Sequence, residues 1–493
     1  MRRSWDKPEG EESYPMDEVH RLSLVELVGR LQDRSLSPVE LMQAVLRRID
    51  ETNAQLNAVV ARRDPEACLA DARASEQRLA RGEGGPLEGV PLGVKELEPA
   101  AGLPWTEGSK LFESRVAERD SVQVERLRSA GAIVVGKTNA PEFGAPAFTR
   151  NRVYGVTRSP WDLELTPGGS SGGSSAAIAG CVLPLVTAGD GGGSIRIPAS
   201  LTGCFGLKTS YGRVPREPGD FWEYGATAVY GPLTKTVEDA ALVLDQVVGK
   251  SELDPYSLPH PGFSYLDRVR EPLPSGLRIA WSPDLGYAVV QSDVAAVVED
   301  AVRAFERMGH RVTRIAGGPP EAGRTWGLLG AYLMASHLEK ELPGREHLLG
   351  RGLMQGVELA RREMTPAIFG ELSALRQQVA AWCASVFEEH DLLLTPTVPF
   401  DPYPAPGPYP METEGRRQAW SNVGSFTIPF NLSWNPAATV RAGLSRRGLP
   451  VGLQIVGPRH LDDLVLQAAR AFEREHPWHP EWPVEPGKPP SRG

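Results

Sequence analysis

Histidine is absent between His20 and His260, lysine occurs nine times against 44 arginines, and the four cysteines, Cys68, Cys181, Cys204 and Cys383, are scattered. Each scarcity excludes something. The cysteines lack metal-ligand spacing, and the two set in apolar segments read as reduced, buried thiols with no role, so neither a metal nor a disulfide framework is expected. No apolar run approaches the roughly 18 to 20 residues of a membrane span. Met1–Tyr14 is charged and polar, without a hydrophobic signal core. The cytoplasm is therefore the expected location, with no membrane partner. A net charge of −9 lacks the basic field that a nucleic-acid partner requires.

What is present is material for a core. At 493 residues, 41% hydrophobic and 23% charged, the chain suits one large α/β domain or two to three smaller ones. Residues 1–16 are polar and aperiodic and read as a flexible leader, so the fold is expected to occupy 17–475, with a Pro-rich tail over 476–493. Leu22–Leu31 has apolar residues at helical spacing. Ser37-Pro38-Val39-Glu40 supplies an N-cap, a proline at the first helical position and an acidic first turn for a second helix to about Asn53. Gly89–Lys95 reads as a buried strand, Val122–Ala130 as a helix and Ala132–Val135 as another strand. This alternation predicts an α/β architecture with a buried sheet. Proline and glycine cluster over 255–276, a candidate subdomain seam, before a fresh strand at Leu277–Trp281 and a helix near Ser292–Met308. Asp401–Pro410 and the tail after His476 read as surface loop.

The chemistry points to Thr166–Arg196, where two glycine-serine clusters flank a short apolar segment. Glycine lets other groups approach the backbone closely, which suits a built site better than a spacer. A serine hydroxyl needs a base before it becomes a nucleophile. A remote histidine can fold into place, but Lys95 is nearer to hand, embedded in an apolar strand. To act as a base its pKa must fall from about 10.4 towards about 7, at a cost of roughly 4 to 5 kcal/mol that burial can impose. Neighbours on an extended strand point to opposite faces, so Glu96 need not pair with it. The competing reading is a Lys95 salt-bridged to Glu96 or Glu98 at a strand end.

Gly168-Gly-Ser-Ser-Gly-Gly-Ser174, followed by Asp190-Gly-Gly-Gly-Ser-Ile-Arg196, resembles the amidase signature family. Gly89–Lys95, Gly136–Gly144, Gly206–Arg213 and Gly448–Gly457 resemble further family segments in the expected order, covering about residues 22 to 475. The resemblance implies a large central mixed sheet flanked by helices on both faces, and an amide hydrolase with a Ser-cisSer-Lys triad. Ser194 matches the nucleophile, Ser170 the bridging serine after a cis peptide bond from Gly169, and Lys95 the base. Backbone N–H groups of Gly191, Gly192, Gly193 and Ser194 match the oxyanion hole. Asp190 and Arg196 match residues that hold this loop. Ser171 and Ser174 read as supporting or helix-capping hydroxyls. Two positions depart from the family pattern, which often has Asp at Glu96 and Thr at Gly191. Neither removes a triad member, although a third consecutive glycine loosens the loop.

The expected substrate is a small-molecule amide, with no cofactor or metal. A homo-oligomer is left open, as is a glutaminase subunit working with the partners of a tRNA-dependent amidotransferase. A non-catalytic binding protein is disfavoured because all three triad positions are occupied. Trp105, Phe148, Trp326, Tyr332, Trp420 and Phe426 are candidates to line a substrate pocket, and each also fits a plain core role. Three motifs are read as decoys. Gly131–Thr138 satisfies the P-loop pattern, but its intervening residues are apolar and mostly β-branched, as in a strand. His476-Pro-Trp-His479 has no further ligands beside it. Asn431-Leu-Ser433 matches a glycosylation acceptor, which is moot without a secretory signal.

Overall fold

The computed structural model describes residues 18–216, 225–417, 422–477 and 482–488, so the leader, Trp420 and His479 lie outside the described residues. The first helices follow from their caps. Ser23 and Glu26 form a capping box ahead of Leu24–Gln32. Ser37 and Glu40 form another ahead of Pro38–Leu56, with Pro38 in the first turn. That second helix runs three residues past Asn53 and stops where Asn57 turns left-handed at φ 49°.

Two sheets organise the chain. The larger has seven strands in the order Leu233–Thr234, Phe205–Lys208, Ala437–Leu444, Pro450–Val456, Leu392–Pro396, Arg278–Trp281 and Arg311–Arg314. Its last three strands are parallel and the other pairings antiparallel, so the sheet is mixed as expected. Helices cover both faces. A side chain at Gly452 would meet Ser200 of the helix Arg196–Thr202, while one at Gly457, five residues on and so facing oppositely, would meet Val465 of the helix Asp462–Glu475.

The smaller sheet carries Lys95. It orders Val59–Arg62, Ile133–Thr138, Pro91–Lys95 and Leu185–Val186, with the last three parallel. Every residue of Pro91–Lys95 and of Ile133–Thr138 is buried, as parallel strands between helical layers must be. The P-loop pattern therefore runs through a strand and cannot cradle phosphate. One apolar core extends from Val19 to Phe472 and includes Tyr265 and Val269 from the 255–276 segment.

Two surface expectations are corrected. Asp401, Tyr403 and Ala405 are buried, and the Tyr403 hydroxyl donates to the Ala147 carbonyl at 2.5 Å. Proline limits ladder pairing in this segment to one antiparallel bridge, Pro404 with Leu165, and its aromatic rings pack with Phe148 and Phe400. In the tail, Trp482 packs on the main core and the Val484 carbonyl accepts from Arg48. Among the described residues no helix is long and apolar enough to cross a membrane.

Candidate active site

Lys95 ends its strand fully enclosed, 2% exposed. Its Nζ lies 2.9 Å from Ser170 Oγ, 2.7 Å from Ser171 Oγ and 3.2 Å from the Gly189 carbonyl oxygen. Burial lowers its pKa to about 7, assisted by Arg216 and opposed by the charges of Asp190 and Glu98. Among the described residues no carboxylate lies within ion-pair reach of Nζ. The alternation of the strand explains why. Glu96 points away and accepts from Thr106 N at 2.7 Å, Thr106 Oγ1 at 2.8 Å and Gly108 N at 3.0 Å. Glu98 accepts from Ser121 Oγ at 2.5 Å and Gln123 Nε2 at 3.1 Å, and its backbone carbonyl takes the Lys137 ammonium. The salt-bridged reading of Lys95 is thereby set aside.

The serines stand where a loop enters the helix Gly172–Ala179. The Gly169–Ser170 peptide is cis. Ser171 occupies the N-cap position, but its side chain makes no capping bond. Ser174 Oγ donates to the Thr187 carbonyl at 2.9 Å and meets Thr138 Oγ1 at 2.7 Å. Capping is thus corrected for both: Ser171 is held by Lys95 Nζ, and Ser174 by Thr138 and the Thr187 carbonyl. The Ser171 backbone N–H donates to the Ser194 carbonyl at 3.2 Å, which ties the two glycine-serine clusters together.

Ser194 lies half-buried between the short strand Gly189–Asp190 and the helix Arg196–Thr202. Its hydroxyl makes no hydrogen bond among the described residues, whereas Lys95 and Ser170 are already in contact. Asp190 organises the loop around it. Its carboxylate accepts from Gly193 N at 2.7 Å, Ile195 N at 3.1 Å, Arg196 Nε at 3.0 Å and Arg196 Nη2 at 2.9 Å. Burial alone would raise the Asp190 pKa, but Arg196 and Asn431 outweigh it and hold the carboxyl well below its usual range. The Gly193 N–H is therefore spent on Asp190, which corrects its place among the oxyanion donors. The N–H groups of Gly191, Gly192 and Ser194 have no hydrogen-bond partner among the described residues. Position 193 needs glycine for a second reason: φ is +130°, and a Cβ would fall 2.5 Å from Thr427 Oγ1.

Several site residues carry no local sequence signal. Asn431 Nδ2 donates to the Asp190 carbonyl at 3.0 Å and to its carboxylate at 2.9 Å, and Arg196 Nη2 donates to Asn431 Oδ1 at 2.5 Å. Arg196 Nη1 donates to Gln454 Oε1 at 2.8 Å. Thr427 Oγ1 donates to the Gly192 carbonyl at 2.7 Å. Fully buried Asn431 is a structural hub, not a sugar acceptor. Of the aromatic candidates, Trp326 packs on Gly192, where a Cβ would lie 2.5 Å from its ring. Phe148 packs against Ile197 and Leu201, Phe426 is core, Trp105 lies under Arg115, and Tyr332 is 38% exposed.

Comparison with known proteins identifies the family. The Amidase family model matches residues 40–466. An acylamidase of Rhodococcus erythropolis is 37% identical over 479 residues, covering 95% of this chain and 98% of the relative. A glutamyl-tRNA(Gln) amidotransferase subunit of Geobacter sp. (strain M21) is 33% identical, over 94% and 99% of the two chains. The crystal structure of a bacterial aryl acylamidase of the amidase signature family superposes with a TM-score of 0.89 at 30% identity, covering 96% and 99%. With its mixed α/β fold and glycine-serine site, the chain belongs to the amidase signature family and is an amide hydrolase.

Proposed function

We propose that the chain hydrolyses a small carboxylic amide through an acyl-enzyme on Ser194, with Lys95 as base and Ser170 as the proton bridge. One observation carries the reading: a buried amine with a pKa near 7, and with no carboxylate within ion-pair reach among the described residues, stands 2.9 Å from the Ser170 hydroxyl. A neutral Lys95 accepts the Ser170 proton while Ser170 Oγ takes the proton of Ser194. Ser194 Oγ then attacks the amide carbonyl. Substrate binding brings the Ser194 hydroxyl into line, since catalytic hydrogen bonds tighten only in the complex. The N–H groups of Gly191, Gly192 and Ser194 are the donors left for the oxyanion. The proton returns through Ser170 to the departing amine or ammonia, and water cleaves the ester. No metal or cofactor takes part in this scheme, and the cytoplasm is its setting.

The acylamidase relative and the aryl acylamidase structure favour acyl amides as the substrate class. The test is a panel of aliphatic, aryl and amino-acid amides with the purified chain and with Ser194→Ala. The expected result is turnover by the wild type alone and a loss of roughly 10⁴-fold or more in the variant. Retained turnover in the variant would refute the assignment.

The Geobacter relative favours a second reading, a glutaminase subunit supplying ammonia to partners. Activity confined to glutamine or asparagine, together with stoichiometric co-purifying subunits, would select it.

A further inference from the structure

Three consecutive glycines, Gly191 to Gly193, make the most pliable backbone a loop can have, yet oxyanion donors stabilise a transition state only if they are aimed beforehand. Restraint has to come from outside the loop. It arrives on Gly192 from two directions. Thr427, buried ahead of the helix Ile428–Leu432, donates from Oγ1 to the Gly192 carbonyl at 2.7 Å, and the same hydroxyl lies 3.3 Å from the Gly424 carbonyl. The ring of Trp326, from the helix Gly323–His337, packs so closely that a Cβ on Gly192 would stand 2.5 Å from Cζ2 and 2.6 Å from Cη2. The peptide from Gly192 to Gly193 is thus held at both ends, by Thr427 at its C=O and by Asp190 at its N–H. With that unit fixed, the preceding N–H groups of Gly191 and Gly192 keep one orientation.

We propose that Thr427 and Trp326 are positioning residues that clamp Gly192 and so aim the oxyanion donors of the glycine loop. The proposal rests on the Ser194 reading above. Neither side chain exchanges protons with substrate. Their effect falls on the charged tetrahedral state, where the donors matter, and not on binding of the neutral amide.

The experiment compares wild type, Thr427→Val, Thr427→Ser and Trp326→Ala in amide turnover and in inhibition by an alkyl trifluoromethyl ketone. That probe takes Ser194 Oγ onto its carbonyl carbon, leaves an oxyanion on the former carbonyl oxygen and sends the serine proton through Ser170 to Lys95. Thr427→Val should lower kcat about ten- to a hundredfold, leave KM within about threefold, and weaken the ketone in parallel with kcat/KM. Thr427→Ser keeps the hydroxyl and should recover most of the loss. Trp326→Ala acts from a separate element and should shift kcat in the same direction. Combined with Gly192→Ala it should be more active than Gly192→Ala alone, because the clash is gone. Wild-type kcat in Thr427→Val, or a KM rise with unchanged ketone affinity, would overturn the clamp. A wild type insensitive to the ketone would instead refute the Ser194 assignment, and with it the clamp's purpose.

Discussion

Replacing Lys95 by methionine keeps a buried side chain of similar length and removes only the amine, so it isolates what a titratable nitrogen does to the stability of this fold. In the unfolded chain Lys95 holds its proton up to its ordinary 10.5, and in the folded protein only to about 7. Between those values the unfolded state binds one more proton. Stability therefore rises with pH across that window, by about 1.4 kcal/mol per pH unit. The sign is the reverse of the usual paired lysine. Below about pH 7 both states are charged and a penalty of about 5 kcal/mol is fully present; it fades as pH climbs towards 10.5. The variant lacks this dependence. Wild type should gain roughly 3 kcal/mol on Lys95→Met between about pH 7 and pH 9.

Other buried bases do not confuse the comparison. Lys208, lowered by burial to about 7, and Lys137, also lowered by burial, are present in both proteins and cancel. The partners abandoned by Nζ, Ser170 and Ser171, add an offset that does not vary with pH. Urea unfolding followed by tryptophan fluorescence at several pH values measures the difference directly. The acid limb of kcat/KM in the wild type should share the same midpoint near 7, because an ammonium cannot accept the Ser170 proton. A stability difference that stays constant from about pH 6 to about pH 9 would refute the idea that Lys95 is held neutral.

Three further outcomes follow from the same contacts. Arg196→Met strands the Asp190 carboxylate, both side chains being wholly enclosed, and should cost about 3 to 5 kcal/mol of stability, read as a drop in urea midpoint, along with most activity. Glu96→Gln should leave the acid limb of kcat/KM in place, since that carboxyl is committed to Thr106 and Gly108 on the other side of the strand; a limb displaced by more than about half a unit would contradict this geometry. Asn431→Ala should lower stability by about 1 to 3 kcal/mol in the same unfolding assay, because the Asp190 carbonyl loses its buried donor.

The parts of this molecule that were legible in its sequence are those written in contiguous residues. Ser37 and Pro38 announce a helix because cap and first turn are local. Gly89–Lys95 announces a buried strand because a parallel strand covered on both faces must be apolar throughout, and that run makes its lysine conspicuous. The glycine-serine clusters mark Ser170, Asp190, Ser194 and Arg196 for the same reason. Chain-distant contacts left no such trace. Thr427 meets Gly192 across 235 residues, Asn431 meets Asp190 across 241, and Gln454 meets Arg196 across 258. No periodicity couples such positions.

Asn431 shows how little a short motif says when burial is unknown. Asn431-Leu-Ser433 matches a glycosylation acceptor, moot without a secretory signal, and nothing local foretells that the helix Ile428–Leu432 turns the amide inward, where its Nδ2 serves Asp190 and the Thr227 carbonyl. Proline misleads at 401–410. It restricts pairing to a single bridge with Leu165 without forbidding burial, and Tyr403 shows the difference by filling the wall behind Phe148, beside the Gly169–Ser170 peptide. Ser171 shows the same limit at closer range. Its place before a helix suggests a cap, yet a lysine arriving from another sheet offers a stronger partner, and the hydroxyl turns to Nζ at 2.7 Å instead. At Ser171 a distant partner displaces the local cap, whereas Ser37 keeps its cap and also donates to the distant Glu76 at 2.5 Å; both distant bonds belong to the class of contacts made across the fold. The clamp on Gly192 belongs to that class: it is invisible in any window of the chain, and Thr427→Val is the most economical way to expose it.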